Sequence, residues 1–144
     1  MKKILIAAVI VIGIYGYMQN SPDVISTFTE ESIQSDDLIA DAYRNQLSDI
    51  QVSGSGSVSR VLSDDNKGSR HQRFILRLAS GKTILIAHNI DLAPRINSLE
   101  KGDLVEFFGE YEWNSKGGVI HWTHHDPSGR HVGGWLKHNG RKYE

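Results

Sequence analysis

The stretch RHQRFILRLASGKTILIAHNI, Arg70 to Ile90, constrains the fold more tightly than any other part of the chain. Phe74, Leu76 and Leu78 alternate with Arg73, Ile75 and Arg77. That two-residue period belongs to a strand with one buried face, because successive side chains of a strand point to opposite sides. A second run, TILIAHNI, follows Ser80-Gly81, and a Ser-Gly pair between two such runs predicts a tight hairpin.

The same pattern recurs. In LVEFFGEYEW, Val105, Phe107, Tyr111 and Trp113 fall on one face, and Glu106, Glu110 and Glu112 on the other. VSGSGSVSRVL reads as a preceding strand, with Gly54 and Gly56 marking a close backbone approach or a bulge. VIHWTH returns after the NSKGG turn. DLAPRINSLEKGD links the third strand to the fourth, with room for a short helical turn. Five short strands with that loop placement predict a small five-stranded OB-like barrel over residues 51–144; a small antiparallel sandwich is the alternative.

Ahead of the barrel, SDDLIADAYRNQLSDI places Leu38, Ile39, Ala42, Tyr43, Leu47 and Ile50 at helical spacing. Ser35 is the expected N-cap, with Asp36 and Asp37 in the first turn. A polar tether and this amphipathic helix make up residues 19–50.

The chain begins MKKILIAAVIVIGIYGYM: Lys2 and Lys3, then an apolar run from Ile4 to Met18. This is the pattern of a signal peptide or signal anchor, and its basic end directs the rest of the chain across the membrane. As a helix the run spans roughly 22 Å against roughly 30 Å of hydrocarbon, which favours a cleaved signal. No small-residue cleavage pair precedes Gln19, which favours a retained anchor. Both outcomes predict a periplasmic or secreted protein, held to the inner membrane through residues 4–18 if the helix is kept.

With no cysteine in the sequence, disulfides, thiolate zinc sites and cysteine nucleophiles are excluded. The net charge of −1 hides a gradient. From Gln19 to Ser59 seven acidic residues face one basic; from Arg60 onward thirteen basic face ten acidic. So mild an excess does not by itself mark a nucleic-acid binder.

Three constellations carry chemistry. Five of the seven histidines lie between His121 and His138. If Ile120 and Trp122 face the core, His121 and Thr123 face outward, and a tight hairpin brings His121 beside Glu110 or Glu112. His121, His124, His125 and Asp126 then offer four ligand-type side chains in six residues, a set suited to zinc or copper. The spacing is less specific than H-E-x-x-H on a helix, and a polar, tryptophan-packed loop is the plainer reading. HNIDLAPR supplies His88, Asp91 and Arg95, which together with Glu110 and His121 would suit phosphodiester hydrolysis. The plainer reading is a structural connection in which Asp91 pairs with Arg95. Finally, His71, Arg73 and Arg77 share one strand and predict a cationic face for an anionic polymer. A merely solvated strand face is the alternative.

The segments HNIDLAPR (88–95), GEYEWN (109–114) and GGVIHWTHHDP (117–127) closely resemble motifs of a bacterial domain-of-unknown-function family. DDNKGSRHQRF and GWLKHNGRKY fit as well, so the resemblance spans Gln51 to Tyr143. It implies a small exported domain, mostly from marine and related gammaproteobacteria, and implies no activity.

The residues together predict an exported barrel binding single-stranded nucleic acid or envelope polysaccharide, with a histidine-rich site for a divalent metal. The alternatives are a metal-dependent phosphodiesterase or nuclease, and a structural protein without a small ligand.

Overall fold

The computed structural model describes residues 34–144. They form one helix, α1 over 34–44, and seven strands. The strands are β1 (Ile50–Val61), β2 (His71–Arg77), β3 (Thr83–Asn89), β4 (Leu104–Glu112), β5 (Val119–His121), β6 (Trp135–His138) and β7 (Arg141–Tyr143). The signal or anchor expected at 1–18 and the tether expected up to residue 33 lie outside the described residues. Among the described residues no helix is long and apolar enough to cross a membrane.

Five strands close into a barrel in the order β1-β2-β3-β5-β4, with β4 returning to β1. All these pairings are antiparallel except β3 with β5. The expected alternation holds on β2 and β4: Phe74, Leu76, Val105, Phe107 and Tyr111 point inward and are essentially inaccessible. Each such burial contributes about 1.5–3 kcal/mol.

The twelve-residue β1 serves two neighbours, β4 through Ile50–Ser57 and β2 through Ser57–Val61. Gly54 lies under the ring of Phe107, its partner on β4; a Cβ there would sit 2.7 Å from the ring. The register shifts between Val58 and Arg60, a β-bulge. Because side chains alternate, the extra residue turns Arg60 outward, opposite Ile75.

Two further strands lie outside the ring. β5 occupies only Glu110–Glu112 on its edge of β4, which leaves Val105–Phe108 free to pair with β6, and β7 pairs with β6 in turn. The β6–β7 turn is Asn139-Gly140, both with positive φ (49° and 78°). Asn-Gly is a strong hairpin signal, here lying within the GWLKHNGRKY motif.

The helix is shorter than its apolar pattern suggests. Ile39 and Ala42 join the barrel core, but Leu38 and Leu47 are exposed and Ile50 belongs to β1. The chain leaves the helix at residue 44, and Gln46 takes a left-handed φ of 54°. Ser35 lies inside the helix and is not its cap. Asp36 docks the helix instead, accepting the Ser80 amide at 3.1 Å across the β2–β3 turn. The helix thus shares a core with the barrel. The 90–103 connection has turns but no helix; Gln72 holds it, donating to Ile96 O (2.8 Å) and accepting from Ile96 N (2.9 Å).

Candidate functional site

A shallow groove of about 300 Å³ runs over the outer face of β2 and β3. Ile75 and Leu85, cross-strand partners in the β2–β3 ladder, form its floor with Leu62. Arg60, Arg73 and Lys116 supply its charge, and among the described residues no acidic side chain lines it. Each cation comes from a different element: Arg60 from β1 through its bulge, Arg73 from β2, and Lys116 from the β4–β5 turn. Arg73 is partly tethered, its Nε–H donating to Ser63 O at 3.1 Å. Asn114 shapes the turn: its Oδ1 accepts the amides of Lys116 and Gly118, each at 2.9 Å.

Of the three residues expected to form a cationic strand face, only Arg73 lines this groove. Arg77 donates to Gly81 O at the hairpin turn (3.2 Å), and a ring nitrogen of His71 is 2.8 Å from Ser69 O. Arg60 and Lys116 escape sequence reasoning because a bulge and the closure of the barrel bring them to β2.

HNIDLAPR does not converge. His88 is fully buried, with Nε2 bonded to Pro94 O (3.0 Å) and Nδ1 to the Thr123 hydroxyl (2.8 Å). A carbonyl only accepts, so Nε2 carries the proton and Nδ1 accepts from Thr123. Burial pushes this imidazole down to about 4 and keeps it neutral. Asp91 pairs with Arg70 (2.7 Å), not Arg95, and the Arg70 amide first, then its guanidinium, hold the carboxyl below the usual range. Arg95 instead grips both oxygens of Asp64, at 2.9 and 3.1 Å. His88, Asp91 and Arg95 are therefore committed to three separate contacts.

The histidine-rich segment folds as a loop between β5 and β6. Trp122 has a φ of 55°, which ends β5 and breaks the expected alternation. Thr123 is consequently buried, and Trp122 is half-exposed rather than in the core. The loop closes where the Gly134 amide donates to His124 O (2.9 Å); a Cβ on Gly134 would lie 2.1 Å from Trp122 O. Asp126 organises the interior, accepting the amides of Ser128 (2.9 Å), Arg130 (3.0 Å) and His131 (2.8 Å) and the Ser128 hydroxyl. These bonds, the His131 amide foremost, hold its carboxyl far below the usual range.

His131 stacks on Trp122, with ring centroids 3.9 Å apart and planes within 9°. Both its nitrogens face oxygen acceptors, Val132 O at Nδ1 (2.8 Å) and the Glu110 carboxylate at Nε2, an arrangement that favours the imidazolium. His121 lies opposite Glu110 in the β4–β5 ladder, as expected, but its Nε2 approaches Glu112 at 3.3 Å. That buried nitrogen has no hydrogen-bond partner among the described residues.

His124 is buried with Nδ1 bonded to His125 O (2.8 Å), while His125 is exposed. His121, His124, His125 and Asp126 are thus not gathered at one point. Among the described residues no three histidine, aspartate or glutamate side chains are placed to hold a metal. His138 is committed to Asp103 at 2.8 Å.

Fold and site together define a small closed β-barrel with two outer strands, a cationic outer groove and a loop built around Asp126 and His131. The chain belongs to the family described as Protein of unknown function (DUF3465), whose model matches residues 23–144. The match reaches past the expected Gln51–Tyr143 segment to take in the helix. None of the curated proteins compared with the chain matches it.

Proposed function

We propose that the barrel is an OB fold and that it binds an anionic polymer, single-stranded nucleic acid or envelope glycan, along the groove on β2 and β3. The strand order, with β3 parallel to β5 and β1 bridging β2 and β4, supports the OB assignment. OB domains bind oligonucleotides and oligosaccharides on the face of strands 2 and 3, flanked by the 1–2 and 4–5 loops. Leu62 begins the first of those loops here, and Asn114, Lys116 and Gly118 belong to the second. The observation that carries the reading is three cations from three elements around an aliphatic floor, with no lining acid among the described residues. Lys2, Lys3 and the apolar run to Met18 support a location outside the cytoplasm, periplasmic, secreted or anchored to the inner membrane.

The test is a titration of the whole protein with short anionic polymers at low salt, repeated on the Arg60→Gln, Arg73→Gln, Lys116→Gln triple variant. The variant should bind at least about tenfold more weakly, a loss of roughly 1.4 kcal/mol. For single-stranded DNA, three phosphate contacts correspond to a slope of about −2 in log K against log salt. Absence of binding to every anionic polymer at low salt overturns the reading.

A further inference from the structure

We infer that the polymer is an acidic polysaccharide, its carboxylates met by Arg60, Arg73 and Lys116 and its sugar rings lying on Leu62, Ile75 and Leu85. This rests on the groove reading above and specifies its ligand. The deciding feature is the floor. Proteins that hold single strands without reading sequence stack bases on aromatic side chains, worth about 1–3 kcal/mol per base. Among the described residues no aromatic side chain lines this groove.

The three tryptophans are engaged elsewhere. Trp113 packs against the core and donates its Nε1–H to Tyr43 O at 3.1 Å. Trp122 is stacked with His131. Trp135 lies beside Phe108 across the β4–β6 ladder, with Lys142 over its ring. A single strand in the groove would find charge but no surface on which to stack.

What lines the groove instead suits a sugar chain. Leu62, Ile75 and Leu85 offer aliphatic contact to the C–H faces of pyranose rings. Thr83 brings a hydroxyl, and Asn114 spends its Oδ1 on the turn, leaving its Nδ2 with no protein partner among the described residues. Both are neutral groups of the kind that pair with sugar hydroxyls. The two arginine guanidiniums match a carboxylate through paired N–H donors, and Lys116 adds a mobile point charge. Apolar contact with the rings, neutral contact with hydroxyls and cationic contact with acid groups are the three requirements of a uronic-acid polymer.

The experiment compares three oligomers of similar length against the full chain by calorimetry: a polygalacturonate, an oligothymidylate of equal charge number, and a neutral dextran. The polygalacturonate should bind at least tenfold tighter than the oligothymidylate, with no heat from the dextran. An Ile75→Ser, Leu85→Ser variant, altered only at half-buried outward positions, should lose at least fivefold for the polygalacturonate and change little for the DNA. Equal or tighter DNA binding overturns the polysaccharide assignment and leaves the groove reading standing. Dextran binding as tight as polygalacturonate overturns the role of the charges. No binding by any of the three overturns both readings together.

Discussion

His88 and Thr123 meet inside the protein, the Thr123 hydroxyl donating to His88 Nδ1 at 2.8 Å where neither side chain is exposed to solvent. With Nε2–H bonded to Pro94 O, the imidazole joins β3 to two loops that sequence alone leaves unconnected. A histidine satisfied in this way is neutral, and protonating it would bury a charge away from water. With its pKa near 4 when folded and an ordinary value near 6.5 when unfolded, His88 contributes fully to stability above pH 6.5. As pH falls from 6.5 to 4 the unfolded chain takes up a proton that the folded chain refuses. The His88 contribution to the loss of stability should be roughly 3 kcal/mol across that window, read as the difference from a variant without the imidazole. Urea unfolding from pH 7.5 to 3.5 measures the drop, and a His88→Gln variant with the same pH dependence as the natural chain refutes its assignment to His88.

His131 should behave in the opposite sense. Burial on its own lowers its pKa, but the Val132 carbonyl and the Glu110 carboxylate outweigh burial and raise it. Its contribution is complete below the unfolded value of 6.5 and disappears as pH rises through the folded value. An NMR titration should place the His131 midpoint above 6.5, and Glu110→Gln should bring it down. A midpoint unmoved by that substitution removes the pairing as the cause.

Asp126 organises the loop through the amides its carboxylate accepts. Asp126→Ala strips the acceptor from the amides of Ser128, Arg130 and His131. Hydrogen exchange at those amides should quicken by at least about tenfold while β2 and β3 keep their protection. Metal titration of the natural chain gives a second readout. One tight zinc or copper site, lost with His124→Ala and His125→Ala, would support the set of His121, His124, His125 and Asp126 as ligands.

Gly54 and Phe107 should be energetically coupled. A Gly54→Ala methyl meets the ring at 2.7 Å and should destabilise the barrel by about 1–3 kcal/mol. Phe107→Leu opens room at the same point, so a double-mutant cycle on thermal unfolding should yield a favourable interaction energy. Strictly additive effects count against the contact.

Within the cationic set, position should matter more than charge. Arg60→Gln should weaken polymer binding severalfold, whereas Arg77→Gln, outside the groove, should change it by no more than about twofold at moderate salt. Equal losses at the two positions indicate diffuse attraction and not a built groove.

The pattern of alternation was legible residue by residue. Phe74, Leu76, Val105, Phe107 and Tyr111 were readable as inward-facing because a strand's period is two and the opposite phase carries Arg73, Arg77, Glu106 and Glu110. The Asn139-Gly140 turn carries a hairpin signal in the sequence too, yet β6 and β7 stand beyond the five strands expected. Past β5 the alternation failed at one residue: Trp122 adopts a left-handed φ that no local pattern announces, and from there Thr123 turns into the core.

By itself the sequence determined a strand-rich chain with hairpins at Ser80-Gly81 and across the NSKGG turn, its inward faces, and its membership of a family. These follow from local periodicity and turn chemistry, which act over a few residues. Tertiary structure decided the partners. Asp91 took Arg70 and Arg95 took Asp64, although Asp91 and Arg95 are close in sequence. The bulge between Val58 and Arg60 in the β1–β2 pairing, together with the parallel pairing of β3 with β5, brought Arg60 and Lys116 to Arg73. Which charges meet depends on register and ring closure, properties of pairings between strands far apart in the chain, and no short stretch of sequence encodes them.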